Sequence, residues 1–320
     1  MINALEDECS LVIVRTPFQA WLAQKVIKEE GVETYDIVYL THNNSEEDIF
    51  YYGLLKLRAR CSDYIYVKPK RWDILSHLAV RWKARKWYVN RGYEKVIFAS
   101  INSNFVNATA NSQINSNFVT FDDGVANIFK GGTYYEEPSS RRILAYKKLL
   151  GAVSLKILTN RIVRHYSVFD GYDNIVEKKR LTIIPGWERK FSSSLIASPK
   201  EKKYFIGAPF HEVMTPSQIR KLEKYAKSES IDVYVKHPRE NFPLDIGAPM
   251  LDKKCRIAEE AILADAGESQ IILYGFLSTV LVNLAGISKN QVAVIPEDTA
   301  EYSKLFDLAI KAGCEVKTIS

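Results

Sequence analysis

Short runs of β-branched and aromatic residues recur along this chain, each followed by a stretch with helical spacing, and that alternation restricts the fold more than any other feature. "CSLVIV" is a continuous apolar run, as expected of a strand buried on both faces. After a turn at Thr16-Pro17, apolar Trp21, Leu22, Val26 and Ile27 recur at helical spacing, with Gly31 placed to cap the helix. Further strands are expected in "YDIVYLT", "DYIYVK", "EKVIFAS" and "NFVTF", with a basic helix between the second and third of these. Residues from about Pro138 to Tyr166 read as helical, and "HYSVFDGY" as one more short strand. A second series follows in "KYFIGAP", "IDVYVKH", "SQIILYG" and "NQVAVIP", with helices starting near Thr215, Arg256, Ser278 and Thr299. Strand and helix in strict alternation predict parallel sheets covered on both faces, an α/β class. A Pro-, Gly- and Ser-rich stretch, "IIPGWERKFSSSLIASPKEKK", has linker character, so two Rossmann-like doubly wound domains are expected, 1–198 and 199–320. In such sheets ligands bind beyond the carboxyl ends of the strands, and two domains in tandem would bind them in the intervening cleft.

Composition narrows the class. The chain has 320 residues, which suits two domains better than one core. It is 47% hydrophobic and 26% charged, with a net charge of +6. Cys9, Cys61, Cys255 and Cys314 are widely spaced, which argues against a zinc site or a disulfide framework and fits a reducing cytoplasm. The acidic N-terminus and the shortness of "LVIV" argue against a signal peptide, and no run approaches a transmembrane length. Between Lys68 and Arg91, eight basic residues face one acid, Asp73, and are interleaved with Trp72, Trp82, Trp87 and Tyr88. Such a segment suits the anionic face of a membrane, and it equally suits a solvated helix whose Trp residues pack inward. No nucleic-acid motif accompanies the charge.

Three strand ends carry the chemistry. "FVTFDDG" ends a strand in two carboxylates, Asp122 and Asp123, whose repulsion can prepare one of them as a base, while Gly124 permits a sharp turn. The same letters also describe an ordinary Asp-Asp-Gly loop. "IDVYVKHPRE" ends a strand at His237, which can donate to a phosphate or be satisfied locally by a carbonyl. "ILYGFLST" ends a strand at Gly275 and opens a helix with Ser278 and Thr279, a phosphate site or a plain N-cap. Glu259 and Glu260 begin the preceding helix, where they favour its dipole or could meet ribose hydroxyls. There is no D-x-D triplet and no His-x-x-x-His, so no metal ligand set is expected and protein donors would stabilise a leaving phosphate.

"VIFASI", "TFDDGVANI", "LTNRIVRHYSVFDGYDNI", "KHPRE" and "YGFLST", in this order, resemble glycosyltransferase family 52, the bacterial lipooligosaccharide sialyltransferases of GT-B type. The resemblance implies inverting, metal-independent transfer of sialic acid from CMP-sialic acid to a terminal galactose, with α2,3 linkage, by a homodimer; contact with the cytoplasmic face of the inner membrane is the expectation raised by the basic segment alone. By the same resemblance His237 would protonate or hydrogen-bond the departing phosphate, Ser278 and Thr279 would hold its oxygens, Glu259 or Glu260 would meet the ribose, and Pro238 would line the cytosine. Gly207, Arg239 and Gly275 complete the donor positions it implies. One departure matters: part of the family places its base in an Asp after Gly-x-Pro, and here "GAPFHE" has Phe210. The base would then be Asp123 with Asp122 positioning it, or Glu212 as the alternative. A hexosyltransferase using a UDP-sugar and a non-catalytic nucleotide-binding module of an envelope-glycan pathway are the competing readings.

Overall fold

The computed structural model describes residues 9–68, 82, 84–87, 89, 92–189, 200–276, 278–297 and 303–320. The chain separates into two compact units, Met1–Ile184 and Pro185–Ser320. The division falls ahead of the position expected near Pro199. Trp187 packs against the core of the second unit, and the Arg189 guanidinium donates to the carbonyls of Gly267 and Ser269, so the start of the supposed linker belongs to the second unit.

In the first unit the order is β1 (Cys9–Val14), α1 (Pro17–Glu29), β2 (Thr34–Thr41), α2 (Glu46–Lys56), β3 (Ala59–Tyr66), β4 (Lys95–Phe98), α3 (Asn104–Ser112), β5 (Asn117–Phe121), α4 (Arg141–Leu149), α5 (Leu155–Asn160), β6 (Ile162–Ser167) and β7 (Leu181–Ile183). These strands form a parallel sheet of order β3-β2-β1-β4-β5-β6-β7. The order reverses between β1 and β4, which makes their carboxyl ends the switch point of a doubly wound sheet. The helical reading up to Tyr166 is corrected: helix α5 stops at Asn160, and "IVRHYS" pairs with β5 as a strand. The β-branched pair Ile162-Val163 fits a pleated surface better than a helix.

In the second unit the order is β8 (Glu201–Ile206), α6 (Phe210–Val213), α7 (Pro216–Ser228), β9 (Val233–Val235), α8 (Ala258–Ala266), β10 (Gln270–Gly275), α9 (Thr279–Asn283), β11 (Asn290–Pro296), α10 (Ser303–Lys311) and β12 (Glu315–Ile319). The parallel sheet runs β12-β11-β10-β8-β9 and reverses between β8 and β10. Each unit is Rossmann-like, so the chain carries the pair of domains that defines the GT-B class. Strands β7 and β12 have weak sequence signals, since "LTI" is only three residues long and "EVKTI" mixes charged and apolar residues at the edge of the sheet.

Sequence signals set the helix starts. Thr16 caps α1, accepting from the Gln19 amide at 3.2 Å, with Pro17 in the first turn. Thr215 and Gln218 form a full capping box on α7, again with Pro in the first turn.

Most of the basic, Trp-bearing segment lies outside the described residues. Of its described part, Trp87 is fully buried and donates to Asp63 at 2.6 Å, while Lys86 bonds the same carboxylate at 3.0 Å. Trp82 is 65% exposed with the Arg85 guanidinium 5.1 Å from its ring. No described helix is long and apolar enough to cross a membrane.

Placing Trp187 in the second unit predicts that Trp187→Ala weakens that unit by about 2 kcal/mol, the scale of one large apolar side chain. Amide hydrogen exchange should show faster opening in β8 and β10 and no change in β1 or β4.

Candidate active site

In the first unit the site grows from the carboxyl ends of β1, β4 and β5. Successive side chains on a strand point to opposite sides, and the two carboxylates after β5 part company accordingly. Asp122 is fully buried. Its Oδ2 accepts from the Ser167 hydroxyl at 2.7 Å and the Val168 amide at 2.8 Å, and its Oδ1 faces His165 Nε2 at 3.1 Å and Asn174 Nδ2 at 3.3 Å. A carboxylate only accepts, so His165 carries a proton on Nε2, and its Nδ1 shares a 2.8 Å hydrogen bond with the Thr120 hydroxyl. Asp122 therefore ties β5 to β6 and does not reach solvent.

Asp123 is half-buried and turns toward β1 and β4. Its Oδ1 accepts from Gln19 Nε2 at 2.6 Å; its Oδ2 accepts from the Ser100 hydroxyl at 2.8 Å and the Tyr134 hydroxyl at 2.5 Å. The Asp123 amide donates to Asn127 Oδ1 at 2.6 Å. Gly124, at φ +62°, makes the turn in the left-handed region that favours glycine. Arg15 adds positive charge beside Asp123; burial lowers its proton affinity, and Asp123 and Tyr134 oppose that shift. Tyr134 is held well above the usual phenol range by burial and by the Asp123 charge, so its hydroxyl remains a donor. The mutual repulsion expected of the paired Asp residues is thus not what organises them, because each has its own set of donors.

In the second unit the sharp ending of β9 has a local cause. The His237 carbonyl accepts from the Glu240 amide at 3.0 Å, closing a four-residue turn with Pro238 at the position such turns favour. Glu240 is buried; its carboxylate accepts from the Tyr234 hydroxyl and from the His237 amide at 3.2 Å. Burial raises its proton affinity, while Tyr234 and the His237 amide oppose that shift. Gly207, after β8, sits against this carboxylate: a Cβ there would lie 2.4 Å from Glu240 Oε2 and 2.9 Å from the Tyr234 hydroxyl. His237 Nδ1 accepts from the Arg239 amide at 3.1 Å, so the neutral ring carries its proton on Nε2. Burial, then the Arg239 and Lys253 charges, lower the His237 pKa to about 4. At neutral pH the half-buried imidazole is a hydrogen-bond donor rather than an acid.

The other expected positions divide. Pro238 and Arg239 are exposed, and Arg239 pairs with Glu212 at 3.0 Å in a surface ion pair of small energetic worth. Phe210 is 1% exposed in the core of this unit, which gives that side chain a packing role. Gly275 ends β10 where a Cβ would meet the Ile206 carbonyl at 2.9 Å. Ser278 caps α9, accepting from the Val280 amide at 3.1 Å, with Thr279 next to it and half-buried. Glu259 is turned inward and accepts from Asn283 at 2.7 Å; burial raises its proton affinity. Glu260 is half-buried.

Sequence reasoning passed over Arg15, Gln19, Ser100, Tyr134 and Glu240. Two left a signal: Thr16 to Gln19 has the spacing of a capping pair, and "HPRE" has the form of a Pro-bearing turn closed on Glu240. Arg15, Ser100 and Tyr134 left none, since their meeting with Asp123 depends on tertiary structure.

Residues 34–298 match the family model of glycosyltransferase family 52, and the chain belongs to that family. It is 24% identical over 303 residues to an N-acetyllactosaminide alpha-2,3-sialyltransferase of Haemophilus influenzae, covering 93% of this chain and 95% of that protein. It is 25% identical over 319 residues to a CMP-N-acetylneuraminate:beta-galactoside alpha-2,3-sialyltransferase of Pasteurella multocida, covering 96% and 98% respectively. A MurG structure from Acinetobacter baumannii superposes with a TM-score of 0.49 at 10% identity, covering 97% of this chain and 85% of that one.

Two outcomes test this geometry. Gly207→Ala forces the buried Glu240 carboxylate to move and should lower nucleotide affinity tenfold or more. Calorimetric titration with CMP reads the loss. The His237 ring should titrate near pH 4 in the free protein, followed by its proton NMR shift. Its folded pKa is depressed, so its contribution to stability is present above about 6.5, the ordinary histidine value, and is lost as pH falls through about 4.

Proposed function

We propose that this family 52 protein is a sialyltransferase that moves a sialyl residue from CMP-sialic acid to a galactose hydroxyl in α2,3 linkage, with inversion. The observation that carries the reading is Asp123: a half-exposed carboxylate at the switch point of the first unit, held by donors from separate segments and left with accepting capacity. Asp123 takes the proton of the acceptor hydroxyl as its oxygen bonds to the anomeric carbon, while the bond from that carbon to the phosphate oxygen breaks and CMP departs. The names of the Haemophilus and Pasteurella relatives supply the donor and linkage.

His237 acts as a neutral Nε2–H donor to the CMP phosphate, whose own negative charge favours gain of a proton on the ring as the leaving group develops. Pro238 and the exposed Arg239 belong to the same nucleotide edge, as do Ser278 and Thr279. Glu260 is the carboxylate assigned to the ribose, because it is half-buried while Glu259 is turned into the interior. Asp122 holds β5 against β6 and makes no contact with substrate. No metal cofactor is proposed, since imidazole, guanidinium and hydroxyl donors supply the phosphate contacts. Association into a homodimer, residence in the cytoplasm and peripheral contact with the inner membrane through the exposed Trp82 and Arg85 complete the reading.

Incubation with CMP-sialic acid and lactose, followed by mass analysis, should yield a sialyllactose. Asp123→Asn should bind CMP normally and lose about a hundredfold or more in transfer, the scale of general base catalysis. His237→Ala should lose a similar factor, and His237→Gln, which keeps an N–H donor, should recover part of it. Thermal stabilisation by UMP or UDP in place of CMP, with no sialyl transfer, would reject the donor assignment.

A further inference from the structure

Three side-chain hydrogen bonds run to the Asp123 carboxylate. The Arg15 amide donates to Gln19 Oε1 at 2.9 Å, which fixes the orientation of the fully buried Gln19 amide. Its Nε2 then faces both Ser100 Oγ, at 2.8 Å, and Asp123 Oδ1, at 2.6 Å. With its oxygen accepting from Gln19, the Ser100 hydroxyl has one proton, and this goes to Asp123 Oδ2. The Tyr134 hydroxyl gives its proton to the same Oδ2. Each carboxylate oxygen has two lone pairs. Among the described residues Oδ2 has two donors and Oδ1 has one, which leaves one position on Oδ1.

We propose that Tyr134, Ser100 and Gln19 are positioning residues that close Asp123 Oδ2 and leave Oδ1 as the single oxygen that receives the acceptor proton. The inference rests on Asp123 being the base. Ser100 supports it independently, because its backbone lies at φ +52°, a conformation unfavourable for a residue with a side chain. Strain of that kind persists where the surroundings demand it, and here it carries the Ser100 hydroxyl, at the end of β4, to the Asp123 carboxylate that follows β5. The Arg15 guanidinium lies close enough to feel the Asp123 charge, and its backbone amide is the first donor of the chain, fixing Gln19. The cage draws on three separate strand ends and the loop bearing Tyr134. It forms only when the first unit is folded.

The test is kcat and KM for sialyl transfer to lactose, with CMP affinity and melting temperature, measured on Tyr134→Phe and Ser100→Gly. Each removes one hydroxyl, and glycine also tolerates the left-handed backbone at 100. Loss of either donor lets the carboxylate turn away from its single open oxygen, so kcat should fall about tenfold in either variant while KM for lactose stays within about twofold. CMP affinity should be unchanged. A purely structural role would lower the melting temperature and leave kcat where it is. Should Asp123→Asn abolish transfer while kcat keeps its wild-type value in both variants, the positioning role is overturned and the base assignment stands. Wild-type transfer by Asp123→Asn would overturn both.

Discussion

The first unit depends on a single divergence at the end of β5, where two adjacent carboxylates leave the strand on opposite sides. Asp122 enters a dry interior and is matched there by Ser167, the Val168 amide and His165. An unpaired carboxylate in that place would cost several kcal/mol, so β6 has to approach with its own donors. Pinning Asp122 fixes the backbone one residue later, which directs Asp123 toward β1 and β4. The buried residue does the folding work and the half-exposed one is left available for chemistry.

A comparable economy governs the second unit. Glu240 is buried three residues beyond His237 and binds the Tyr234 hydroxyl and the His237 amide, so the turn is braced from beneath. That bracing explains why residue 207 has no side chain, since a methyl group would occupy the space of the carboxylate. It also sets the imidazole's proton on Nε2, because Nδ1 is taken by the Arg239 amide. In both units a buried carboxylate anchors the backbone of the proposed site residue near it in sequence, Asp122 beside Asp123 and Glu240 near His237.

The GAPF motif illustrates how packing can replace chemistry at one position. Phe210 fills the core below α6, so an aspartate in its place would lose an apolar contact and face burial. Glu212 is exposed and held by the equally exposed Arg239. Asp123, by contrast, has a donor set drawn from several parts of its unit, which is why the two carboxylates are not equivalent candidates for proton transfer.

The sequence by itself determined the class of fold, because alternating strand and helix periods leave a parallel sheet as the way to bury both. It also determined which strand ends carry reactive groups: Asp123 and His237 each follow a β-branched run and precede a turn residue, Gly124 or Pro238. Local patterns even specified the Thr16 cap and the "HPRE" turn. Tertiary structure alone decided what those groups can do. Gln19, Ser100 and Tyr134 are 104, 23 and 11 residues from Asp123, and only strand order brings them to one carboxylate. The state of His237 is likewise a product of burial and of neighbouring charge, which a linear pattern of residue types does not encode.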